Sequence, residues 1–222
     1  MYAIVIMAKA PFPNKVKTRF IPSLSPFEAS QLYHSFLLDK ITQVKSIKGA
    51  RPFVAYTPGS SESFFRSIIP HGFTLISQAG KDLGERLKKV SQELFAQGAA
   101  KVLMLDSDTP NLPNDYIREG LARLDEGDVV LGLCEDGGYY LIGMRTFIPE
   151  IFNGIPWSTS MVTEFTMKKV RELGLTVSML PGWYDVDTGK DLKRLMRDLE
   201  FPSNNCFFCE NTHRTLSHMK IL

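Results

Sequence analysis

The sequence predicts an α/β fold whose sheet is mostly parallel and covered by helices on both faces. Short apolar runs rich in β-branched residues alternate with longer stretches of helical period, and several of the short runs are apolar on both faces. The alternation holds to about residue 133 and then gives way to a hairpin and shorter elements. The predicted strands are Ala3–Met7, Phe53–Tyr56, Thr74–Ser77, Lys101–Leu105 and Val129–Leu133.

Several longer stretches space their apolar residues as helices do. The clearest is Asp82–Gln97, in which Asp82 and Glu85 form a capping box at the first turn. Another, Met161–Leu173, precedes Gly174, a residue typical of the position after a helix end. The other predicted helices are Pro26 to about Ile47, Asn114–Leu124 and Gly189 to about Glu200.

Composition limits the class of protein. Of the 222 residues 44% are hydrophobic, and Lys and Arg outnumber Asp and Glu by only 26 to 24. The hydrophobic content excludes a disordered chain, and the even charge argues against a general nucleic-acid binder. No run approaches the roughly 18 apolar residues that a membrane span needs, and three cysteines do not make a disulfide framework. We therefore expect one cytoplasmic domain over residues 1–200 and a loose tail over 201–222.

Four basic residues accompany the end of the first strand. Lys9, Lys15, Lys17 and Arg19 lie within eleven residues that contain no carboxylate. If this segment is extended, alternation points the last three to the same side, where like charges repel unless an anion joins them. Ligands of open α/β sheets bind at the carboxyl ends of the strands. A pyrophosphate-binding loop is therefore favoured over a solvated basic loop.

Acidic residues follow two later segments. A buried strand runs directly into Asp106 and Asp108. This pattern suits Mg²⁺, which takes one or two protein carboxylates together with substrate phosphates; the alternative is an Asx-type turn before a proline. Further along, Asp185 and Asp187 fall on one side of an extended segment, from which they could face the cation opposite Asp108.

A glycine-rich turn and a tryptophan segment are further candidate contacts. The run Glu135–Gly143 predicts a tight hairpin. Its glycines would also let a ligand approach the backbone, with Asp136 facing a sugar hydroxyl or acting as a base. Trp157 precedes serine and threonine residues typical of a helix start, and it either stacks on a sugar or base or anchors this segment in the core.

The tail contains Cys206, Cys209, His213 and His218. Familiar zinc motifs separate the cysteine and histidine pairs by about twelve residues or more. Because only three residues lie between Cys209 and His213, packed or exposed thiols are favoured over a zinc site. Phosphate-loop hydrolases, dinucleotide dehydrogenases and α/β-hydrolases are disfavoured because their glycine-rich signatures are absent from the sequence.

Six motifs together resemble the bacterial nucleotide-diphospho-sugar transferases, a family that includes glycosyltransferases linked to arsenosugar synthesis. The resemblance covers about residues 2–199 and implies a single-domain, GT-A-like α/β/α sandwich of three layers with a mostly parallel mixed sheet. Two positions depart from the family pattern, because Asn14 and Asp106 stand where glycine is common. The motifs, in order, are Ala8–Arg19, Asp82–Leu87, Ser107–Pro110, Glu135–Tyr140, Trp157–Thr159 and Asp185–Thr188.

The resemblance also implies which residues bind substrate and metal. Asp108 and Asp187 would bind the metal, with Asp106 as an additional candidate. The metal ion, together with Lys15, Lys17 and Arg19, would offset charge on the leaving diphosphate, and Asp136 would be the acceptor base. The implied catalytic residues are Asp108, Arg19 and Asp136. The implied substrate contacts are Ala8, Lys9, Lys15, Lys17, Arg19, Gly84, Glu85, Arg86, Gly137, Gly138, Tyr140, Trp157, Ser158 and Thr159.

The predicted activity is that of a glycosyltransferase dependent on Mg²⁺ or Mn²⁺, which uses a nucleoside-diphosphate sugar and a small-molecule acceptor. One alternative is a nucleotidyltransferase that joins a nucleoside triphosphate to a small phosphate. The other is a non-catalytic nucleotide-binding module. The identity of the base, the sugar and the acceptor stays open at this stage, as does the oligomeric state.

Overall fold

The computed structural model describes residues 1–21, 23–201 and 206–219, which fold around one seven-stranded sheet. The strands occur in the spatial order β3-β2-β1-β4-β6-β5-β7. Only β6 pairs antiparallel to its neighbours, so the sheet is mixed and mostly parallel, as the sequence predicts. The strands are β1 (Tyr2–Lys9), β2 (Ala50–Thr57), β3 (Thr74–Ser77), β4 (Lys101–Leu105), β5 (Val129–Cys134), β6 (Tyr139–Met144) and β7 (Val177–Trp183).

Helices cover both faces of this sheet and give the expected three layers. On one face, α1, α2, α4, α6 and α7 pack against a core that includes Phe36 and Leu103. On the other face, α3 and α5 pack against a second core that includes Val5 and Leu94. The helices are α1 (Pro26–Ser46), α2 (Glu62–Ile68), α3 (Leu83–Ala96), α4 (Asn114–Arg123), α5 (Val162–Glu172), α6 (Gly189–Glu200) and α7 (Glu210–His218).

Helix starts follow the capping residues present in the sequence. Ser25 and Glu28 form a reciprocal capping box at α1, and Thr188 and Asp191 form another at α6. At α3, the Asp82 side chain accepts a hydrogen bond from the Glu85 backbone nitrogen. These caps fix the first turns of three helices that begin on the side of the sheet where the strands end.

The expectation of a loose tail is wrong for residues 206–219. Helix α7 packs on α1, and Leu216 is fully buried. The Asp39 carboxylate accepts hydrogen bonds from the backbone nitrogen and side-chain amide of Asn211, at 3.0 and 2.8 Å, and from the backbone nitrogen and hydroxyl of Thr212, at 2.8 and 2.6 Å. Residues 202–205 and 220–222 of the predicted tail lie outside the described residues.

No helix in the described ranges is long and apolar enough to cross a membrane.

Within the part of the tail that the structure describes, Cys206 and Cys209 carry no disulfide, and Cys209 is fully buried. The His213 ring contacts the Phe208 ring at a tilt of 40°, with ring centroids 5.8 Å apart. The interpretation of the tail cysteines as packed thiols therefore holds for Cys209.

Candidate functional site

A cavity of about 280 Å³ opens where the first four strands end. It brings together residues that follow β1, β2, β3 and β4, with Arg86 from the first turn of α3 and Asp187 from the segment before α6. Seven residues predicted from the sequence line it: Ala8, Lys9, Lys15, Lys17, Arg86, Asp108 and Asp187. The cavity thus combines cationic side chains with two carboxylates at the sheet edge where ligands of α/β proteins bind.

The loop after β1 is folded, whereas the sequence argument assumed an extended segment. Asn14 and Lys17 have positive φ angles, 61° and 48°, and a short 3₁₀ turn follows at Thr18–Phe20. Lys15 and Lys17 still line the cavity. The Arg19 side chain is 66% exposed, with one guanidinium nitrogen 3.9 Å from Asp187 Oδ2. The convergence of the basic residues therefore comes from turns in the loop, and the predicted alternation is wrong.

Asn14, which stands where glycine is common in the family pattern, has a left-handed backbone conformation. Its φ of 61° lies in the region that asparagine tolerates better than most residues with a Cβ. Asparagine is therefore compatible with the turn of the basic loop.

Lys17 is the central cation of the cavity wall. Its Nζ contacts Asp108 Oδ1 and lies 2.7 Å from Asp187 Oδ1, and the lysine side chain is only 3% exposed. The Tyr33 and Phe36 rings lie 5.7 and 5.5 Å away, measured from Nζ to the ring centroids. Burial alone would lower the pKa of this ammonium, but the charges of Asp108 and Asp187 outweigh burial and raise its pKa above the ordinary value. Lys17 is therefore charged at neutral pH.

Backbone contacts hold the two carboxylates side by side. The Asp108 carbonyl oxygen accepts a hydrogen bond from the Val186 backbone nitrogen at 2.9 Å, which ties the loop after β4 to the segment before α6. Asp191 Oδ2 accepts from the Thr188 backbone nitrogen at 2.8 Å and from its hydroxyl at 2.7 Å. The cap of α6 therefore also fixes the segment from which Asp187 reaches Lys17.

Asp106 and Asp185 do not line the cavity but form a neighbouring cluster with Cys134. One ligand atom from each of the three lies within 4.8 Å of the others. The Cys134 thiol lies 2.9 Å from Asp185 Oδ1, and Thr109 donates to Asp106. Burial raises the pKa of Asp106 to about 6 and that of Asp185 to about 9, so the two carboxyl groups share at least one proton at neutral pH. The expected orientation of Asp185 toward Asp187 and the cavity is wrong.

The hairpin residues have mainly structural contacts. Asp136 is exposed, and its Oδ1 accepts a hydrogen bond from the Gly138 backbone nitrogen at 2.9 Å. Gly137 has a φ of +93°, and a Cβ there would lie 2.8 Å from the carbonyl carbon of Ser160. Tyr140 is fully buried and donates to the Pro181 carbonyl oxygen at 2.8 Å, so its predicted contact with substrate is not available in this arrangement.

Trp157 anchors its segment against the start of α3. Its indole packs directly over Gly84, where an added Cβ would lie 2.5 Å from the ring atom Cε2. Glu85, next along the helix, accepts a hydrogen bond from the Lys81 backbone nitrogen at 3.0 Å. Ser158 has a φ of +64°, and the Thr159 hydroxyl donates to the Pro156 carbonyl oxygen at 2.7 Å. None of the five predicted substrate contacts in this region lines the cavity; they are Gly84, Glu85, Trp157, Ser158 and Thr159.

Sequence reasoning missed several polar residues that line the cavity, among them Gln78 and Tyr33. The Gln78 amide nitrogen donates to the carbonyl oxygens of Ala8 and Ala55 at 3.2 and 2.7 Å, so its remaining hydrogen-bonding group is an acceptor oxygen. The Tyr33 hydroxyl lies 2.8 Å from Ser107 Oγ and accepts from the Lys9 backbone nitrogen at 3.2 Å. The position of Gln78 directly after β3 is a signal that could have identified it.

Comparisons with known proteins place the chain in a family. The profile of a bacterial family described as "Uncharacterized protein conserved in bacteria (DUF2064)" matches residues 40–159. A crystal structure from Desulfovibrio desulfuricans G20, named a "putative nucleotide-diphospho-sugar transferase", is 33% identical over 100% of this chain and 96% of its own, with a TM-score of 0.90. The chain belongs to the DUF2064 family. The resemblance to nucleotide-diphospho-sugar transferases, and the fold that it implied, are confirmed.

Two more distant structures share the fold of this DUF2064 protein. CMP:2-keto-3-deoxy-manno-octonic acid synthetase complexed with CTP is 12% identical over 91% of this chain and 99% of its own, with a TM-score of 0.57. Rv0371c from Mycobacterium tuberculosis H37Rv in complex with manganese is 11% identical over 89% and 99%, with a TM-score of 0.52. No protein of known, curated function matches the chain. The chain thus has the nucleotide-diphospho-sugar transferase fold, and these two structures share it.

Proposed function

We propose that this DUF2064 protein is a glycosyltransferase that binds a nucleoside-diphosphate sugar and a divalent cation in the cavity at the ends of β1–β4. The observation that supports this most strongly is the meeting of Asp108 and Asp187 with basic side chains on one cavity wall. A diphosphate needs cationic partners, and a divalent cation needs carboxylate oxygens. Both kinds of group are present within one cavity.

The residues fit a divalent cation of the Mg²⁺ or Mn²⁺ type. Asp108 and Asp187 each present a carboxylate oxygen to the same nitrogen atom, and both side chains are about one-third exposed toward the cavity, at 39% and 35%. Two carboxylates together with substrate phosphates form the coordination that these ions commonly adopt. When bound, the ion would act as a Lewis acid that offsets charge on a leaving diphosphate.

The basic residues of the chain would perform the rest of the electrostatic work. Lys15 and Lys17 lie on the wall of the cavity, where they would neutralise phosphate oxygens whose charge grows as the sugar departs. Arg19 would act from the rim, beside Asp187. Asp136 lies outside the cavity lining, so a role as acceptor base requires the acceptor to reach the hairpin turn; Asp136→Asn tests that role.

A thermal-shift panel of nucleoside diphosphates and their sugars, with and without Mn²⁺, tests the proposal. A ligand at about 100 times its dissociation constant adds roughly 2.7 kcal/mol to the free energy of unfolding, which corresponds to a rise in Tm of about 5–10 °C for a chain of this size. Asp108→Ala should lose the Mn²⁺-dependent part of that rise. Asp115→Ala is the matched control, because Asp115 is exposed on α4 and pairs only with Arg118 among the contacts described. An unchanged shift in Asp108→Ala would remove the metal assignment.

A nucleotidyltransferase is the second candidate, favoured by the shared fold with a synthetase that was solved with CTP. Such an enzyme would release pyrophosphate when supplied with a nucleoside triphosphate and a sugar phosphate. A glycosyltransferase would instead release a nucleoside diphosphate from a nucleotide sugar. Binding without turnover of any donor would indicate a nucleotide-binding module.

A further inference from the structure

The Lys17 ammonium occupies the position between the two proposed metal ligands. Its Nζ contacts Asp108 Oδ1 and lies 2.7 Å from Asp187 Oδ1, while the Tyr33 and Phe36 rings enclose it on other sides. The lysine side chain is almost completely buried, whereas both carboxylates are partly exposed to the cavity. Solvent therefore reaches the carboxylates but hardly reaches the ammonium.

Charge balance makes the ammonium and a divalent cation competitors for this position. With Lys17 in place, Asp108, Asp187 and Lys17 together carry one net negative charge; without the ammonium they carry two. A divalent ion between the carboxylates would meet the ammonium at close range, where like charges repel strongly. An enclosed ammonium without an anionic partner is itself costly. Each cation therefore excludes the other unless a further anion receives the ammonium.

A diphosphate is an anion that could receive it, because Lys17 lines the same cavity as Lys9, Lys15 and Arg86. We infer that Lys17 is an exchangeable counter-ion, which neutralises Asp108 and Asp187 in the free protein and moves to the diphosphate when a divalent cation takes its place between them. This inference rests on the proposed function. It requires the cation and the diphosphate to raise each other's affinity, and by linkage the two effects are equal.

The exchange is tested first by titrating Mn²⁺ into the protein without any diphosphate. Protein-bound Mn²⁺ is measured through its enhancement of water proton relaxation. The proteins compared are the wild type, Lys17→Met and the control Lys190→Met, which removes the same charge from an exposed position three residues after Asp187 and outside the cavity lining. We expect Lys17→Met to bind Mn²⁺ at least about tenfold more tightly than the wild type, within the range of coupling between sites. Lys190→Met should stay within about threefold of the wild type.

Inorganic pyrophosphate supplies the second half of the test. In the wild type it should raise the Mn²⁺ affinity at least about tenfold, and in Lys17→Met most of that increase should be lost. If circular dichroism shows that Lys17→Met does not fold, Lys17→Gln, which also removes the ammonium, takes its place in both measurements. Unchanged or weaker Mn²⁺ binding by folded Lys17→Met, or no effect of pyrophosphate in the wild type, would overturn the inference.

The outcomes separate this inference from the proposed function. If Mn²⁺ and pyrophosphate both bind the wild type but independently, the exchange is refuted and the proposed function stands. If the wild type binds pyrophosphate but not Mn²⁺, while Lys17→Met does bind Mn²⁺, Lys17 is a permanent substitute for the cation and the exchange is refuted. If neither probe binds either protein, the proposed function fails together with the exchange.

Discussion

The contact between Gly84 and Trp157 predicts a measurable cost for adding one methyl group. An alanine Cβ at position 84 would lie 2.5 Å from Trp157 Cε2 and 2.9 Å from Cζ2, whereas carbon atoms in good contact are about 3.5–4.0 Å apart. The nearest ring atom, Nε1, would be closer still, so the indole would have to retreat by more than about 1 Å. Because a rigid ring within a packed cluster cannot do this without moving its neighbours, we place the cost near 3 kcal/mol, the upper part of the range for overpacking.

The same substitution also brings a gain that must be subtracted. Replacing glycine by alanine inside a helix stabilises it by about 0.5–1 kcal/mol. We therefore expect Gly84→Ala to lower the free energy of unfolding by about 2 kcal/mol, which corresponds to a fall in Tm of about 4–8 °C. Urea denaturation followed by circular dichroism measures the loss.

A second glycine in the first turn of a helix provides the control. Gly189 begins α6, and an added Cβ there would have Ser23 Oγ as its nearest neighbour at 3.7 Å, an ordinary contact distance. Gly189→Ala should therefore be neutral or slightly stabilising. If Gly84→Ala is as stable as the wild type while Gly189→Ala behaves as expected, Trp157 is not the anchor of this segment, and the account given for Gly84 is refuted.

Three further substitutions test other contacts. Asp39→Asn should lower the free energy of unfolding by about 2 kcal/mol, because the new amide nitrogen would face the hydrogen-bond donors of either Thr212 or Asn211. Faster hydrogen exchange confined to α7 would report the loss, and unchanged protection of α7 would contradict the prediction. Tyr140→Phe should lower the free energy of unfolding by about 1 kcal/mol, because the hydrogen bond to the Pro181 carbonyl oxygen is lost, and it should leave nucleotide affinity unchanged. A weaker nucleotide affinity would restore the substrate role predicted for Tyr140. Burial raises the pKa of Asp185 from 3.8 to about 9, so the folded state holds more protons than the unfolded state over that interval, and the free energy of unfolding should fall as pH rises. Asp185→Asn should flatten that slope in urea titrations at several pH values, and an unchanged slope would refute the shared proton.

Local patterns were sufficient for most of the fold. Apolar runs predicted five of the strands. Four of them, β1, β2, β4 and β5, lie inside the sheet and are mostly buried, whereas β3 lies at an edge. β7 was missed because it contains Pro181 and Gly182, residues that usually argue against a strand. It lies at the edge of the sheet, where a missing N–H donor is tolerated.

The tail was misjudged for a different reason. A nine-residue helix such as α7 is unstable alone, and its stabilising partner Asp39 lies 172 and 173 positions earlier than the residues it binds. No spacing within the tail could have indicated that contact.

The candidate site was partly predictable. Side-chain alternation before α6 and the family resemblance together suggested that Asp108 and Asp187 lie close, and in the structure they share the Lys17 ammonium. The partition of the four aspartates into two clusters could not be predicted, because Asp106 and Asp185 resemble Asp108 and Asp187 in every local respect. Burial beside Cys134 separates them, and burial depends on the whole fold.

The ion pair between Lys17 and Asp187 joins residues 170 positions apart. Contacts of such separation form late, because the intervening chain must first be closed into a loop. During synthesis, the basic loop therefore emerges long before Asp187, the later of the two carboxylates that Lys17 contacts. A nascent chain halted before Asp187 lacks that partner, so this part of the cavity wall is complete only when nearly the whole domain has been made.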